Sequence, residues 1–153
     1  MDIRICAALA AMAVSAGTWA GDEAPRFIAG SGAAATLPFS EAVWVGNTLY
    51  VSGNIGLDAQ TRQPPADPAA EAKLVMDAIK GTVEHAGLTM DDLVSVTVYC
   101  TDLELFNTFN TVYRGYFHGH FPARAFIGVA HILFNGHFEV QAIASGKPAP
   151  QKK

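Results

Sequence analysis

Two charged residues in apolar surroundings are the first candidates for chemistry. Arg124 follows Pro122 and Ala123 and precedes an apolar run, and Glu139 is the single acid among residues 137–145. A guanidinium can hold a carboxylate through two parallel hydrogen bonds, and a carboxylate can orient water and transfer a proton. The residues alone leave a second interpretation open: Arg124 as a surface or interface arginine, and Glu139 as a glutamate paired with a backbone amide or with Arg124.

The remaining candidate chemistry is weaker. His118 and His120 are two residues apart, and they could be combined with His131 and His137 into a metal site, but nothing further in their spacing supports one. Cys100 lies on an apolar strand face and is interpreted as an unreactive core thiol. We therefore predict no metal site.

The first element that could position these residues is a hairpin. Ala42–Val45 and Thr48–Ser52 are β-rich runs, and Gly46-Asn47 between them suits a tight turn. Gly53 and Gly56 are predicted to break the second strand, and residues 58–65 to form a loop.

A helix is predicted to begin at Asp67-Pro68, because Asp can accept from the free amides of the first turn and Pro suits the first helical position. Gly87 is placed where a left-handed cap would end it. The apolar positions between them recur at three- and four-residue spacing: Ala72, Val75, Met76, Ile79, Val83 and Ala86.

A strand and a second helix follow. Residues 93–100 alternate, which places Val94, Val96, Val98 and Cys100 on one face and Ser95, Thr97 and Tyr99 on the other. Asp102 is predicted to cap a helix that Pro122 stops. Its aromatic stripe is interpreted as core packing, and it comprises Phe106, Phe109, Tyr113 and Phe117.

Two further strands, at residues 125–130 and 137–145, complete the pattern. The element order predicts an α+β fold in which two helices cover one face of a single mixed β-sheet. Strand residues on both faces are apolar, so two helices cannot bury them all. We therefore expect a closed homo-oligomer that buries the other face.

The first twenty residues are typical of a signal peptide. Arg4 precedes an apolar run at residues 5–14, and Thr18-Trp19-Ala20 predicts cleavage after Ala20 and a periplasmic or secreted protein, with no membrane association afterwards. The alternative is a short N-terminal helix of a cytosolic protein. The run is too short for a membrane-spanning helix. The other predicted boundaries are a flexible lead-in at 21–37 with a short edge strand at Arg26–Ala29, a domain at 38–146 and a tail at 147–153.

Composition limits the class of protein. The chain has 153 residues, 50% of them hydrophobic and 16% charged, which is typical of one folded domain. The formal net charge is −4 and no basic stripe is present, which argues against nucleic acid as a partner. Cleavage would remove Cys6 and leave Cys100 alone, so an intramolecular disulfide is not expected.

Several segments, in the same order along the chain, resemble the Rid (YjgF-like) family. They are Ser40–Val43 with Val45–Gly56, Leu93–Asp102, Asn110–Phe117, Pro122–Arg124 and Phe138–Ala144. The resemblance implies a chorismate-mutase-like fold, a homotrimer and active sites in clefts between subunits. It also implies hydrolysis of reactive 2-imino acids, such as 2-iminobutanoate and 2-iminopropanoate, to 2-keto acids and ammonia, without a metal or an organic cofactor.

By this resemblance Arg124 binds the substrate carboxylate, Glu139 assists the water, and Ser52 and Asn110 lie near the ligand. Four departures from the family pattern bear on the substrate. Phe39 stands where tyrosine is typical, Asn54 replaces glutamine, Ala125-Phe126 replaces a hydroxyl residue and a small residue, and Gln141 replaces glutamate. Phe126 matters most, because a large ring there could narrow the pocket or change its preference.

A second function remains open. The same trimer could be a non-catalytic module that binds a small carboxylate, or a chaperone-like protein. The presence of Arg124 and Glu139 favours the enzyme, whereas export argues against it, because the familiar sources of imino acids are cytoplasmic pyridoxal-phosphate enzymes. A ribonuclease activity has also been attached to the family, and the acidic surface disfavours it.

Overall fold

The computed structural model describes residues 24–30 and 36–147. Within these ranges the chain forms a mixed six-stranded sheet and two α-helices, which confirms the predicted α+β class. In chain order the elements are β1 (Arg26–Ile28), β2 (Ala42–Val45), β3 (Thr48–Ile55), α1 (Pro68–His85), β4 (Leu93–Cys100), α2 (Phe106–Tyr113), β5 (Ala123–Gly128) and β6 (Phe138–Ser145). The signal-peptide prediction lies outside the described residues.

The sheet order is β1-β2-β3-β6-β4-β5, so β6 is central and β5 is an edge strand. The β4–β5 pair is parallel and the other pairs are antiparallel. A parallel pair needs a crossover, and α2 supplies it. This topology places Arg124 at the sheet edge and Glu139 in the middle strand.

The hairpin forms as predicted, with Gly46 at a φ of 56° in the turn. The prediction that Gly53 ends the second strand is wrong, because β3 continues to Ile55. A register shift between Val51 and Asn54 of β3 against β6 inserts an extra residue there. Such a bulge tolerates glycine and allows pairing to resume beyond it.

Helix α1 has the predicted boundaries. The Asp67 side chain accepts from the backbone N–H of Ala69 at 3.0 Å, and Pro68 occupies the first turn. Gly87 has a φ of 88°, as the left-handed cap requires. The predicted apolar face is buried, at Ala72, Val75, Met76, Ile79, Val83 and Ala86.

Helix α2 differs from the prediction at both ends. The Asp102 carboxylate accepts from the backbone N–H of Glu104 at 2.9 Å, so it caps the 3-10 turn Leu103–Leu105 that precedes α2. The α-helix ends at Tyr113, and a 3-10 turn, Arg114–Tyr116, follows it. Glycine disfavours helix, and Gly115 lies in this turn. Phe117 and Pro122 are therefore outside the helix.

Strand β4 also departs from strict alternation. Val96, Val98 and Cys100 are buried as expected, but Val94 is 49% exposed. A register shift between Leu93 and Ser95 against β6 places Leu93, and not Val94, in the core. Strand β5 is offset from its predicted range, since it starts at Ala123 and ends at Gly128.

The sheet face opposite the helices carries exposed apolar side chains. Phe27, Val45, Tyr50 and Ile127 are 67%, 46%, 48% and 42% exposed. This agrees with the reasoning behind an oligomer, and the homotrimer itself stays a prediction. Among the described residues, no helix is long and apolar enough to cross a membrane.

Candidate active site

Arg124 faces helix α2 from the edge of the sheet. It pairs with Val96 in the parallel β4–β5 ladder, and the buried side chain of Val96 lies on the helix-covered face. Its Nη2 donates to the side-chain Oδ1 of Asn110 on α2 at 2.7 Å. The parallel crossover therefore brings the strand residue and the helix residue together.

Aromatic rings surround the Arg124 guanidinium. Its Cζ lies 4.5 Å from the ring centroid of Tyr113, 5.8 Å from that of Phe106 and 5.9 Å from that of Phe126. Such contacts are attractive because the face of an aromatic ring carries a partial negative charge. No carboxylate among the described residues forms an ion pair with Arg124. Its remaining N–H groups are therefore available to an anion.

The guanidinium borders a cleft of about 230 Å³. The cleft is lined by Asn110, Tyr113, Arg114, Phe121, Pro122 and Arg124, none of which is acidic. Burial raises the pKa of Tyr113 to about 12, and the Arg124 charge opposes this shift. The Tyr113 hydroxyl therefore stays protonated, and it has no hydrogen-bond partner among the described residues.

Glu139 lies on the other face of the sheet. It pairs with Tyr99 of β4 and Ile55 of β3, between Phe138 and Val140, which are buried against the helices. Its half-buried side chain lines a depression of about 360 Å³ with Ser52, Gly53, Tyr99, Val129, His131, Ile132 and Gln141. The carboxylate lies so close to Gly53 that a Cβ there would collide with it. No hydrogen bond to this carboxylate is found within the described ranges.

Ser52 lies on the Glu139 side of the sheet. The Ser52 hydroxyl lies beside the depression and donates to the backbone carbonyl of Ser40 at 2.7 Å. This bond holds the turn that carries Phe39, whose side chain is 55% exposed. Ser52 therefore positions the Phe39 segment as well as lining the depression.

Phe126 packs beneath α2. Its ring makes edge contacts with Phe106 at 5.1 Å and Phe109 at 5.7 Å between centroids. The lining of the cleft beside Arg124 does not include it. The Arg124 Cζ lies 5.9 Å from the Phe126 ring centroid, so this large side chain packs beside the guanidinium.

The predicted site residues thus form two groups. Arg124 contacts Asn110 and Phe126 on the sheet face that the helices cover. Ser52 and Glu139 share the depression on the opposite face of the sheet, the open face. Successive strand residues point to opposite faces of a sheet. The sheet therefore lies between the Arg124 group and the Glu139 group. The interpretation that Glu139 pairs with Arg124 within one chain is wrong.

Sequence reasoning overlooked several residues of these two groups. Tyr113 is in the core as predicted, but it also lines the cleft, and so does Arg114. Gly53 was interpreted as a strand breaker, although it makes room for the Glu139 carboxylate. The sequence does carry a signal for Tyr99, because alternation along β4 predicts that its side chain lies on the open face.

The histidines do not assemble into a metal site. His118 lies 3.7 Å from the Asp91 carboxylate and His137 lies 2.7 Å from that of Glu71, in different parts of the structure. Among the described residues, no three His, Cys, Asp or Glu side chains are grouped to hold a metal ion.

Comparison with known proteins identifies the class. Residues 30–145 match the model of the family described as Endoribonuclease L-PSP. The chain therefore belongs to this family, which is the YjgF/Rid family.

Several relatives carry the name 2-iminobutanoate/2-iminopropanoate deaminase. The one from Escherichia coli K12 is 40% identical over 114 residues, which is 72% of this chain and 89% of the relative. The one from Bos taurus is 40% identical over 116 residues, covering 75% and 85%.

Solved structures agree with the fold. The crystal structure of the YjgF gene product of E. coli superposes with a TM-score of 0.72 at 37% identity, covering 78% of this chain and 98% of that one. The structure of E. coli TdcF with bound serine gives 0.68 at 32% identity, covering 78% and 93%.

Proposed function

We propose that this protein hydrolyses reactive 2-imino acids of the 2-iminobutanoate and 2-iminopropanoate type to 2-keto acids and ammonia. The observation that carries the proposal is the Arg124 guanidinium, which Asn110 and Tyr113 hold at the wall of a small cleft with N–H groups available. The names of the relatives support the reaction.

Arg124 supplies binding and orientation. Its planar fork holds the substrate carboxylate, and this fixes the position of the adjacent imine carbon. Water adds to that carbon, the imine nitrogen gains protons, and the tetrahedral intermediate expels ammonia as the C=O bond forms. Placing the reacting carbon accurately accounts for a large part of such catalysis.

Glu139 of a neighbouring subunit orients the water and relays its proton. Two observations support this role: Glu139 lies on the face opposite Arg124, and its carboxylate has no partner within the described chain. The assembly is a homotrimer in which the exposed face with Phe27, Tyr50 and Ile127 packs against the next copy. Each cleft then combines residues of two chains.

We also propose that the protein is exported and processed after Ala20. The support is the order of Arg4, the apolar run and Thr18-Trp19-Ala20. N-terminal sequencing of the native protein should begin at Gly21, and a native chain beginning at Met1 or Asp2 would contradict export.

The direct test follows the decay of freshly generated 2-iminopropanoate with and without the purified protein. We expect the wild type to accelerate the decay and Arg124→Ala to lower kcat/KM by about a hundredfold or more, because both binding and orientation are lost. Arg124→Lys should recover little, since a point charge cannot reproduce the fork.

Arg62→Ala is the matched control, because Arg62 is an exposed arginine in the loop before α1. Circular dichroism and light scattering should show an unchanged fold and assembly in each variant. Equal acceleration by the wild type and Arg124→Ala would refute the role of Arg124. If the wild type accelerates the decay of no small imino acid, the protein is a carboxylate-binding module.

A further inference from the structure

A second guanidinium borders the Arg124 cleft. Arg114 begins the 3-10 turn that follows α2, and it lines the same cleft as Arg124, although the two residues come from different elements. Both side chains are guanidinium cations. The described residues contribute no acidic side chain to the cleft lining and no ion pair to either arginine.

The two cations are joined by an aromatic wall. The Arg124 Cζ lies 4.5 Å from the Tyr113 ring centroid, and the Arg114 Cζ lies 6.0 Å from that of Phe121. The Tyr113 and Phe121 rings stack with centroids 6.3 Å apart and planes 23° apart. Each guanidinium is therefore beside one of two neighbouring rings that line the cleft.

This arrangement suits a ligand that carries two negative charges separated by a short apolar chain. Two positive charges beside one cleft repel each other, and a dianion offsets both, whereas a monocarboxylate offsets only one. The cleft volume of about 230 Å³ is below the roughly 300–1,000 Å³ of sites for drug-sized ligands, which indicates a small molecule.

We propose that the preferred substrates are 2-imino dicarboxylic acids, the imines of acidic amino acids. Arg124 binds the carboxylate next to the C=N bond, and Arg114 binds the distal carboxylate. The reaction consumes one water and releases one ammonia, leaving a 2-keto dicarboxylate. This inference rests on the proposed function and adds a specificity residue to it.

Binding of stable products tests the proposal without turnover. 2-Oxoglutarate and 2-oxopentanoate share chain length and the 2-keto acid group, and they differ in the distal carboxylate. By isothermal titration, wild type should bind 2-oxoglutarate about tenfold more tightly, a modest factor because Arg114 is exposed to solvent. Arg114→Gln should remove this difference and leave 2-oxopentanoate binding unchanged.

Turnover provides the second measurement. The ratio of kcat/KM for 2-iminoglutarate over 2-iminopentanoate should be about ten in wild type and near one in Arg114→Gln. Arg62→Gln removes the same charge outside the cleft and should keep the wild-type ratio, which controls for net charge.

The outcomes separate the two proposals. Hydrolysis of both imines without a preference in wild type would overturn the dicarboxylate inference and leave imine hydrolysis intact. A preference that survives in Arg114→Gln would overturn the role of Arg114. Tighter binding of 2-oxoglutarate that depends on Arg114, without hydrolysis of any imine, would support the dicarboxylate site and refute the deaminase.

Discussion

The Arg124 guanidinium is held on two sides, by the Asn110 side chain and by the Tyr113 ring. Because these contacts are in place before any ligand binds, little side-chain entropy is lost when a carboxylate arrives. Glu139 is held differently. Its carboxylate packs against Gly53 in the open depression and has no hydrogen-bond donor within the described residues. This leaves its oxygens able to accept from water.

The residue-scale prediction concerns Glu139. We expect Glu139→Gln to lower kcat for imine hydrolysis by about a hundredfold while KM changes little, because the amide keeps the shape and loses the base. Steady-state kinetics with freshly generated 2-iminopropanoate measure both constants. Gln141→Ala alters a side chain in the same depression and serves as the control. A raised KM with an unchanged kcat would assign Glu139 to substrate binding instead.

At the scale of elements, a buried carboxylate joins α1 to β6. Glu71, in the first turn of α1, is fully buried. Its Oε1 accepts from the backbone N–H groups of His137 at 2.6 Å and Phe138 at 2.8 Å, and its Oε2 lies 2.7 Å from His137 Nδ1. Gly56 and Gly136 leave room for this contact, since a Cβ on either would press on Glu71. The bonds fix the start of β6 immediately before Glu139.

We predict that Glu71→Ala lowers the free energy of unfolding by about 3 kcal/mol, because two backbone N–H groups lose their acceptor. Glu71→Gln should cost less, since its amide oxygen can still accept. Urea denaturation at one fixed protein concentration measures both. Glu84→Ala, on the exposed side of α1, should change stability by less than about 1 kcal/mol. Equal stability of Glu71→Ala and wild type would show that the contact is dispensable.

At the scale of the whole molecule, the sheet separates the two groups of site residues. Arg124 and Asn110 of α2 meet on the helix-covered face, and Glu139 and Ser52 lie on the open face. Each chain would therefore contribute Arg124 to one proposed site and Glu139 to another. A closed ring of copies would bring the open face of one chain to the β5 edge of the next, and would also bury the exposed Phe27 and Ile127 side chains.

Subunit mixing tests this assembly. We expect light scattering to give three times the chain mass. Arg124→Ala and Glu139→Gln, refolded together in equal amounts, should recover about one quarter of wild-type activity, because an intact Arg124 meets an intact Glu139 at one interface in four. Each variant refolded alone is the control and should stay inactive. A monomer, or mixtures without recovery, would contradict a shared site.

The sequence by itself determined the elements whose signals are local. The Gly46-Asn47 turn, the Asp67 cap and the Gly87 terminus each depend on a few neighbouring residues, and all three are observed. Arg124 and Glu139 could be selected because a charge inside an apolar strand stands out. The family follows from the resemblance, and the comparisons confirm it.

Tertiary structure decided the rest, because side-chain direction depends on pairing with other strands. The register shifts at Gly53 and Val94 arise only against β6, and they change which residues reach the core. The early end of α2 brings Arg114 to the cleft beside Arg124, and the parallel β4–β5 register turns Arg124 toward α2 and away from Glu139. Local periodicity contains no information about such long-range alignments, so the division of the site between two faces became visible only in the folded chain.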